Sequence, residues 1–313
     1  MGDRLRVAFV GQETYFRACA LDREVGRLVP TFVDFRAGAD PARLAAALGA
    51  AEPDVVVCFR PELIPPGLFG DLAATTVGFI TEPLPRPGEP SHPDLERRLS
   101  DFGAIDPANF DRIMSFDPLI VPTIDRFVPV WRSMPLPLAD RFFAAVSEVD
   151  GPARPIFVGR STPRREEFLT PCKHELDLLH VAHGLTDDQL IGLFSDYPIA
   201  INLHNESYPT FENRVVMHLA AGQLVISEPL SPTHGLEAGL DFLQVTSPTE
   251  LQLAAANAYH RLADFLRIRL RGREKAEQFR SSVVYPRLLE DLAADLYAFG
   301  SARNGRGLLP RPG

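Results

Sequence analysis

Residues 201–229, INLHNESYPTFENRVVMHLAAGQLVISEP, concentrate side chains able to bind and polarise a ligand. The apolar, β-branched run at 199–203 has the pattern of a strand covered on both faces. His204, Asn205, Glu206, Ser207 and Tyr208 follow it directly. Thr210 reads as an N-cap, with Phe211, Val215 and Leu219 at helical spacing behind it and Gly222 at the helix end. Residues 224–226 then begin another buried strand. Polar groups thus gather where a parallel strand ends and a helix begins, the place where unpaired N–H groups favour anions. His204, Asn205, Glu206, Phe211, Glu212, Asn213 and Arg214 are the candidate ligand contacts. A carboxylate at Glu212 gains ~0.3–1 kcal/mol from the helix dipole. It also accepts hydroxyl protons, while Arg214 next to it can neutralise a phosphate.

A second cluster is Gly159 and Arg160, which end the strand pattern at 156–159, with Arg164 and Arg165 close behind. A guanidinium forks onto phosphate oxygens and suits a leaving group that gains negative charge. In the first half, Gly11 and Gln12 follow the opening strand without the further glycines of a dinucleotide loop. Glu82 follows the strand at 77–80, placed to take a hydroxyl proton as general base. Asp117 lies in the turn after 112–116. Cys172, His174, His180 and His183 match no zinc spacing, so no metal site is expected. No nucleophile elbow, phosphate loop or HExxH helix occurs.

The elements that must hold these groups alternate. Strands are expected at 5–10, 29–35, 54–59, 76–80 and 112–116, with a helix at 41–48. Residues 81–93, TEPLPRPGEPSHP, exclude regular structure and form a long loop. A hinge is expected at 149–155, dividing domains 1–150 and 151–313. Beyond it come strands at 156–159 and 176–182 and a Thr186-capped helix at 187–194. Further helices are expected at 249–270, 272–279 and 285–299, before a disordered tail. Strands separated by helices imply right-handed crossovers and parallel sheets. The fold expected is α/β, with two doubly wound, Rossmann-like domains around one hinge.

Length and composition agree with a soluble protein. The 313 residues are 45% hydrophobic and 23% charged, enough for two cores. A net charge of -9 argues against a broad nucleic-acid or anionic-membrane surface, so phosphate binding must be local. No apolar run approaches the ~18 residues of a membrane span. No signal core precedes the first strand, so a cytoplasmic location is expected. Three scattered cysteines suggest no disulfide framework.

Four stretches carry a family likeness: 110–117; 156–160 with Arg164 and Phe168; 202–204 through 211–215 to Gly222; and 272–273 through Tyr285 and Pro286. They resemble GT-B glycosyltransferases, closest to family 4 and the spore-maturation-type group 1 proteins. The resemblance implies GT-B architecture, two domains facing a central cleft, with closing helices that return toward the first domain. It implies transfer from a nucleotide-diphosphate sugar to an acceptor hydroxyl, with neither cofactor nor metal and a tilt toward retention. Donor contacts would be Gly159, Arg160, His204, Asn205, Glu206, Phe211, Glu212, Asn213 and Arg214. Gly11, Gln12 and Asp117 would line the acceptor side, and Glu82 would be catalytic. The acceptor itself is not named by the likeness. The family's paired glutamates fall at positions occupied here by Pro209 and Met217. That departure keeps open an inactive nucleotide-sugar-binding protein, and the same scaffold also carries nucleotide-sugar 2-epimerases.

Overall fold

The computed structural model describes residues 4–147, 151–182, 184–206 and 208–303. His183, Ser207, part of the expected hinge and the tail from 304 onward lie outside them. The chain divides into two compact units, residues 1–140 with 281–313, and residues 141–280. The sequence reading set the division at 150/151 and counted the last helices with the second domain.

In the first unit, β1 (Leu5–Gly11), β2 (Leu28–Asp34), β3 (Val55–Phe59), β4 (Thr75–Ile80), β5 (Arg112–Ser115) and β6 (Arg132–Ser133) make one sheet. Its order is β2-β1-β3-β4-β5-β6, and every pair is parallel. The runs are buried along β3 and β4 because side chains pack over both faces of the sheet. Short α1 (Glu13–Phe16), α2 (Pro41–Ala51), α3 (Pro93–Phe102) and short α4 (Val121–Ile124) are its helices. Asp40 caps α2 by accepting from the Ala42 amide at 3.0 Å, and Pro41 supplies the first-turn φ. Leu44 and Leu48 pack with Val56, Ile80 and Phe102. Residues 81–92 contain no regular element, in keeping with their prolines.

The second unit holds β7 (Pro155–Val158), β8 (Leu179–Val181), β9 (Ile199–Asn202), β10 (Leu224–Ser227) and β11 (Leu243–Gln244). All pairs are parallel in the order β11-β10-β9-β7-β8. Its helices are α5 (Pro163–Glu175), α6 (Asp187–Asp196), α7 (Asn213–Ala220), α8 (Pro248–Arg261) and α9 (Leu266–Ala276). Thr186 and Gln189 form a full capping box at α6. Two expectations need correction. The helix read across 249–270 is interrupted at Leu262–Phe265 by a 3-10 turn, and α9 runs through Gly272. The strand read at 176–182 shortens to three residues because Leu176 still belongs to the end of α5.

Gly272 is where α9 meets α7. A Cβ there would collide with the Asp241 carbonyl oxygen and lie 2.7 Å from Leu219 Cδ2. Gly272→Ala should therefore destabilise the second unit by about 1–3 kcal/mol. A circular-dichroism urea titration checks it, and an unchanged midpoint would refute this contact.

Finally, α10 (Ser281–Phe299) joins the first unit. Tyr285, Leu288, Leu292 and Leu296 pack against Phe9, Phe59 and Phe79. The Tyr285 hydroxyl donates to the Cys19 carbonyl at 2.6 Å. Pro286 lies inside α10, one turn past its start, and removes the amide that would have bonded the Ser282 carbonyl.

Candidate functional site

Sheet topology singles out one place in the second unit. After β7 the chain goes to β8 on one side, then returns to place β9 on the other. Such a reversal leaves a crevice at the carboxyl ends of the two diverging strands. The residues there are Gly159 and Arg160 after β7, and Leu203 to Glu206 after β9. The start of α7 faces the same edge. Gly159 and Arg214 are close neighbours: a Cβ on Gly159 would lie 2.9 Å from Arg214 Nη1.

Three arginines bind this edge together. Arg214 donates from Nε to Asn202 Oδ1 at 2.7 Å, from Nη1 to the Val158 carbonyl at 3.2 Å and from Nη2 to the Leu203 carbonyl at 2.8 Å. Arg165 is buried and donates to the Leu203 carbonyl at 2.9 Å and the Arg160 carbonyl at 3.1 Å. Both guanidiniums lie 5.5 Å from the Phe157 ring centre. Glu212 links them, meeting Arg165 at 3.3 Å and pairing with Arg214. Burial and the adjacent Arg214 charge push Arg165 down to about 10, so it remains charged at neutral pH. Burial likewise lowers Arg214, against the pull of Glu212 and Glu228.

Arg164 takes a different partner. Its Nη1 donates to Glu228 at 3.0 Å, and its Nη2 pairs with the other carboxylate oxygen. Glu228, just past β10, also accepts the His204 amide at 2.7 Å. Burial works to raise the Glu228 carboxyl, but Arg164 and that amide hold it below the usual range. The His204 ring donates from Nε2 to the Pro229 carbonyl at 2.6 Å. Its Nδ1 therefore accepts from the Thr210 hydroxyl at 2.8 Å. Burial lowers the His204 pKa, opposed by Glu212 and Glu228, which favours this neutral form.

The Thr210 hydroxyl is thus committed to His204, and the N-cap of α7 is Glu212 with no side-chain cap bond. The expected Thr210 cap is corrected on that ground. Asn213 is the first helical residue. Phe211 turns into the core against His234 and Phe279, with ring centres 4.6 and 6.0 Å away. Asn205 donates to the buried Glu206 at 3.3 Å. Arg160 is exposed and makes no ion pair among the described residues. Met217 is half-buried on α7 and Pro209 exposed.

Of the histidines and cysteine considered for metal, Cys172 is buried and pushed up to about 12 by burial and Glu175. His180 donates to the Gly159 carbonyl at 2.8 Å. Among the described residues, no group of three or more His, Cys, Asp or Glu is arranged to hold a metal ion. No helix among them is long and apolar enough to cross a membrane.

In the first unit, Gly11 ends β1 in a tight spot, its carbonyl accepting the Phe35 amide at 3.0 Å. Gln12 caps α1 through its carbonyl. Glu82 lies between Arg60 at 3.3 Å and Arg98 at 3.4 Å. Asp117 is buried, accepts two bonds from Arg86 at 3.1 and 2.8 Å, and accepts the Leu119 amide at 2.8 Å.

Sequence reasoning missed Glu228, Asn202 and the paired groups around Arg60. Glu228 carried one usable signal: a carboxylate directly after a buried strand, in VISEP.

No protein-family model and no curated protein sequence matches the chain. Solved structures do. The HepE protein of Anabaena, in complex with UDP-glucose, has a TM-score of 0.61 at 10% identity, over 93% of this chain and 100% of that one. A sucrose-phosphate synthase from Thermosynechococcus elongatus gives 0.54 at 12% identity, over 94% and 100%. A UDP-forming trehalose-phosphate synthase from Burkholderia xenovorans gives 0.52 at 10% identity, over 92% and 98%. Identities this low speak for architecture alone, and with two parallel α/β sheets in hand the chain has the Rossmann-like GT-B glycosyltransferase fold.

Proposed function

We propose that the chain is a glycosyltransferase whose second unit binds a nucleotide-diphosphate sugar and whose acceptor contributes a hydroxyl. One observation carries the reading. At the crevice between β7 and β9, Arg165 and Arg214 are committed to carbonyl groups and Glu212, and Arg164 to Glu228, while Arg160 is exposed without an ion pair among the described residues. Of these four guanidiniums, Arg160 is the one left without a carboxylate partner among the described residues. That open guanidinium suits a diphosphate over the start of α7, and Glu212 is already neutralised by its arginines.

In the reaction, the bond between the anomeric carbon and the diphosphate oxygen breaks as the acceptor oxygen bonds to that carbon. Negative charge grows on the departing diphosphate, where Arg160 and the α7 N–H groups would stabilise it without help from a metal ion. The acceptor proton would pass to a carboxylate, for which Glu82 is our candidate. That base-assisted displacement would invert the anomeric carbon; in the retaining route toward which the family resemblance tilts, the acceptor proton would pass to the departing diphosphate and Glu82 would not act as base. HepE was captured with UDP-glucose, so UDP-sugars are the donors to try first.

Arg160→Ala should lower turnover about 10²-fold with folding unchanged, in the presence or absence of EDTA. The assay follows products by NMR after calorimetric titration with UDP, GDP and dTDP. Full activity in the variant would remove Arg160 from the mechanism. Release of an altered free sugar without acceptor would instead identify an epimerase. No binding of any nucleotide would overturn the reading.

A further inference from the structure

The outer strand of the first sheet is β2, which pairs with β1 on one side alone. The Arg27 carbonyl and the Phe35 amide both bond to β1. Odd-numbered residues from 27 to 35 therefore turn their backbone groups toward β1, and residues 28, 30, 32 and 34 turn theirs outward. Leu28 is closed off by Val25, which exchanges two backbone bonds with it at 3.1 and 2.9 Å. Pro30 has no N–H to offer. The amides of Phe32 and Asp34 and the carbonyls of residues 30, 32 and 34 form an open edge, without backbone partners among the described residues.

Beside this edge lies an open groove of about 930 Å³, lined by residues 31–40 and by Arg43, Leu44 and Ala47 of α2. Arg36 and Arg43 are exposed in it and make no ion pair among the described residues. The two acids of the groove are already engaged. Asp34 Oδ1 accepts the Glu13 amide at 2.8 Å, and Asp40 Oδ1 accepts the Ala42 amide at 3.0 Å where α2 begins. A turn closed by the Ala39 amide on the Arg36 carbonyl at 3.0 Å, with Gly38 at φ +77°, sets Arg36 at the end of the strand.

Backbone donors and acceptors that recur every second residue, about 6.6 Å apart, match the repeat of another strand. A small anion would meet the amides but be repelled by the carbonyls beside them. The two guanidiniums set the charge that the strand's side chains should carry.

We propose that the first unit binds an extended acidic peptide segment of a partner protein, which adds a strand to the outer edge of β2 and pairs its carboxylates with Arg36 and Arg43. The partner's backbone accepts from the Phe32 and Asp34 amides and donates to the outward carbonyls. That ladder supplies the affinity, and the arginines supply the preference for acidic sequences. The edge shares no residue with the donor crevice, and the inference stands without the function proposed above.

The test is fluorescence anisotropy of a labelled peptide, TVEVEVT, titrated with the full chain, with TVKVKVT as the charge-reversed control. The acidic peptide should bind and the lysine peptide should not. Arg36→Gln and Arg43→Gln, both on the surface, should each weaken binding about threefold, and the double variant about tenfold. N-methylation of every second peptide amide should abolish binding in one of its two phases. Amide NMR of the complex should show shifts at residues 32, 34, 36 and 43. The proposal is overturned if the acidic peptide does not bind, if the lysine peptide binds as well, or if the double variant binds like wild type. Sedimentation showing a dimer without peptide, with the same amides protected from exchange, would overturn it too, because a second copy would then hold the edge.

Discussion

Arg214→Met should destabilise the second unit by about 3–5 kcal/mol, the cost of removing one member of a buried ionic network. The guanidinium joins Val158, Asn202 and Leu203, at the ends of β7 and β9, and pairs with Glu212. Methionine fills similar volume over Phe157 but leaves the Val158 carbonyl and Asn202 Oδ1 without that donor. It also leaves Glu212 with Arg165 alone, so the start of α7 becomes more negative. Nucleotide binding should therefore fall together with stability. The single tryptophan, Trp131, belongs to the first unit, so its fluorescence would miss the change. Amide hydrogen exchange of β9 and β10 reads it directly. Wild-type protection there would show that the arginine is a passenger.

Acidification supplies the second large effect. His218 on α7 is fully buried beside Phe194, and its Nδ1 donates to Gln223 Oε1 at 2.7 Å. Gln223 is oriented by donating its own amide to the Tyr197 carbonyl. Burial pushes the ring down to about 4; Gln223 works to raise it and the Arg214 charge lowers it further. The unfolded chain takes up a proton near the ordinary value of about 6.5, well before the folded ring does. Stability from this residue is thus complete above that value and falls as pH drops toward 4. About 3 kcal/mol is lost by pH 4. In His218→Leu the starting stability is lower, because Gln223 loses its donor. The test is the slope of stability against pH between 7 and 4, taken by circular dichroism in urea. Equal slopes in the two proteins would place the acid sensitivity elsewhere.

These two predictions draw on information that the primary structure contains unevenly. Apolar runs such as VVVCF and IAIN announce buried parallel strands, because both faces of such a strand must be covered. Asp40 with Pro41, and Thr186 with Gln189, mark helix starts through bonds that span only a few residues. Thr210 shows the limit of that logic. It is a sound cap candidate locally, yet the better partner is His204, six residues earlier, brought near by the turn after β9.

Arg164, Arg165 and Arg214 all read alike as phosphate forks, since side-chain type cannot say which way a guanidinium points. Their direction depends on which carbonyls are left over at strand ends, and strand order settles that. Residues 203 and 158 are far apart in the chain but lie beside one another once β9 pairs with β7. Arg165 and Arg214 consequently turn down onto the sheet edge and Arg164 onto Glu228, and only Arg160 is left outward without a counter-ion among the described residues. The Arg60–Glu82–Arg98 ion pairs were invisible for the same reason, their members coming from three separate segments. Periodicity and composition were enough to specify two α/β units and the loops on which ligand chemistry would sit. Which charges in those loops cancel and which stay open was decided by tertiary pairing, because an ion pair depends on distance in space and not on spacing along the chain.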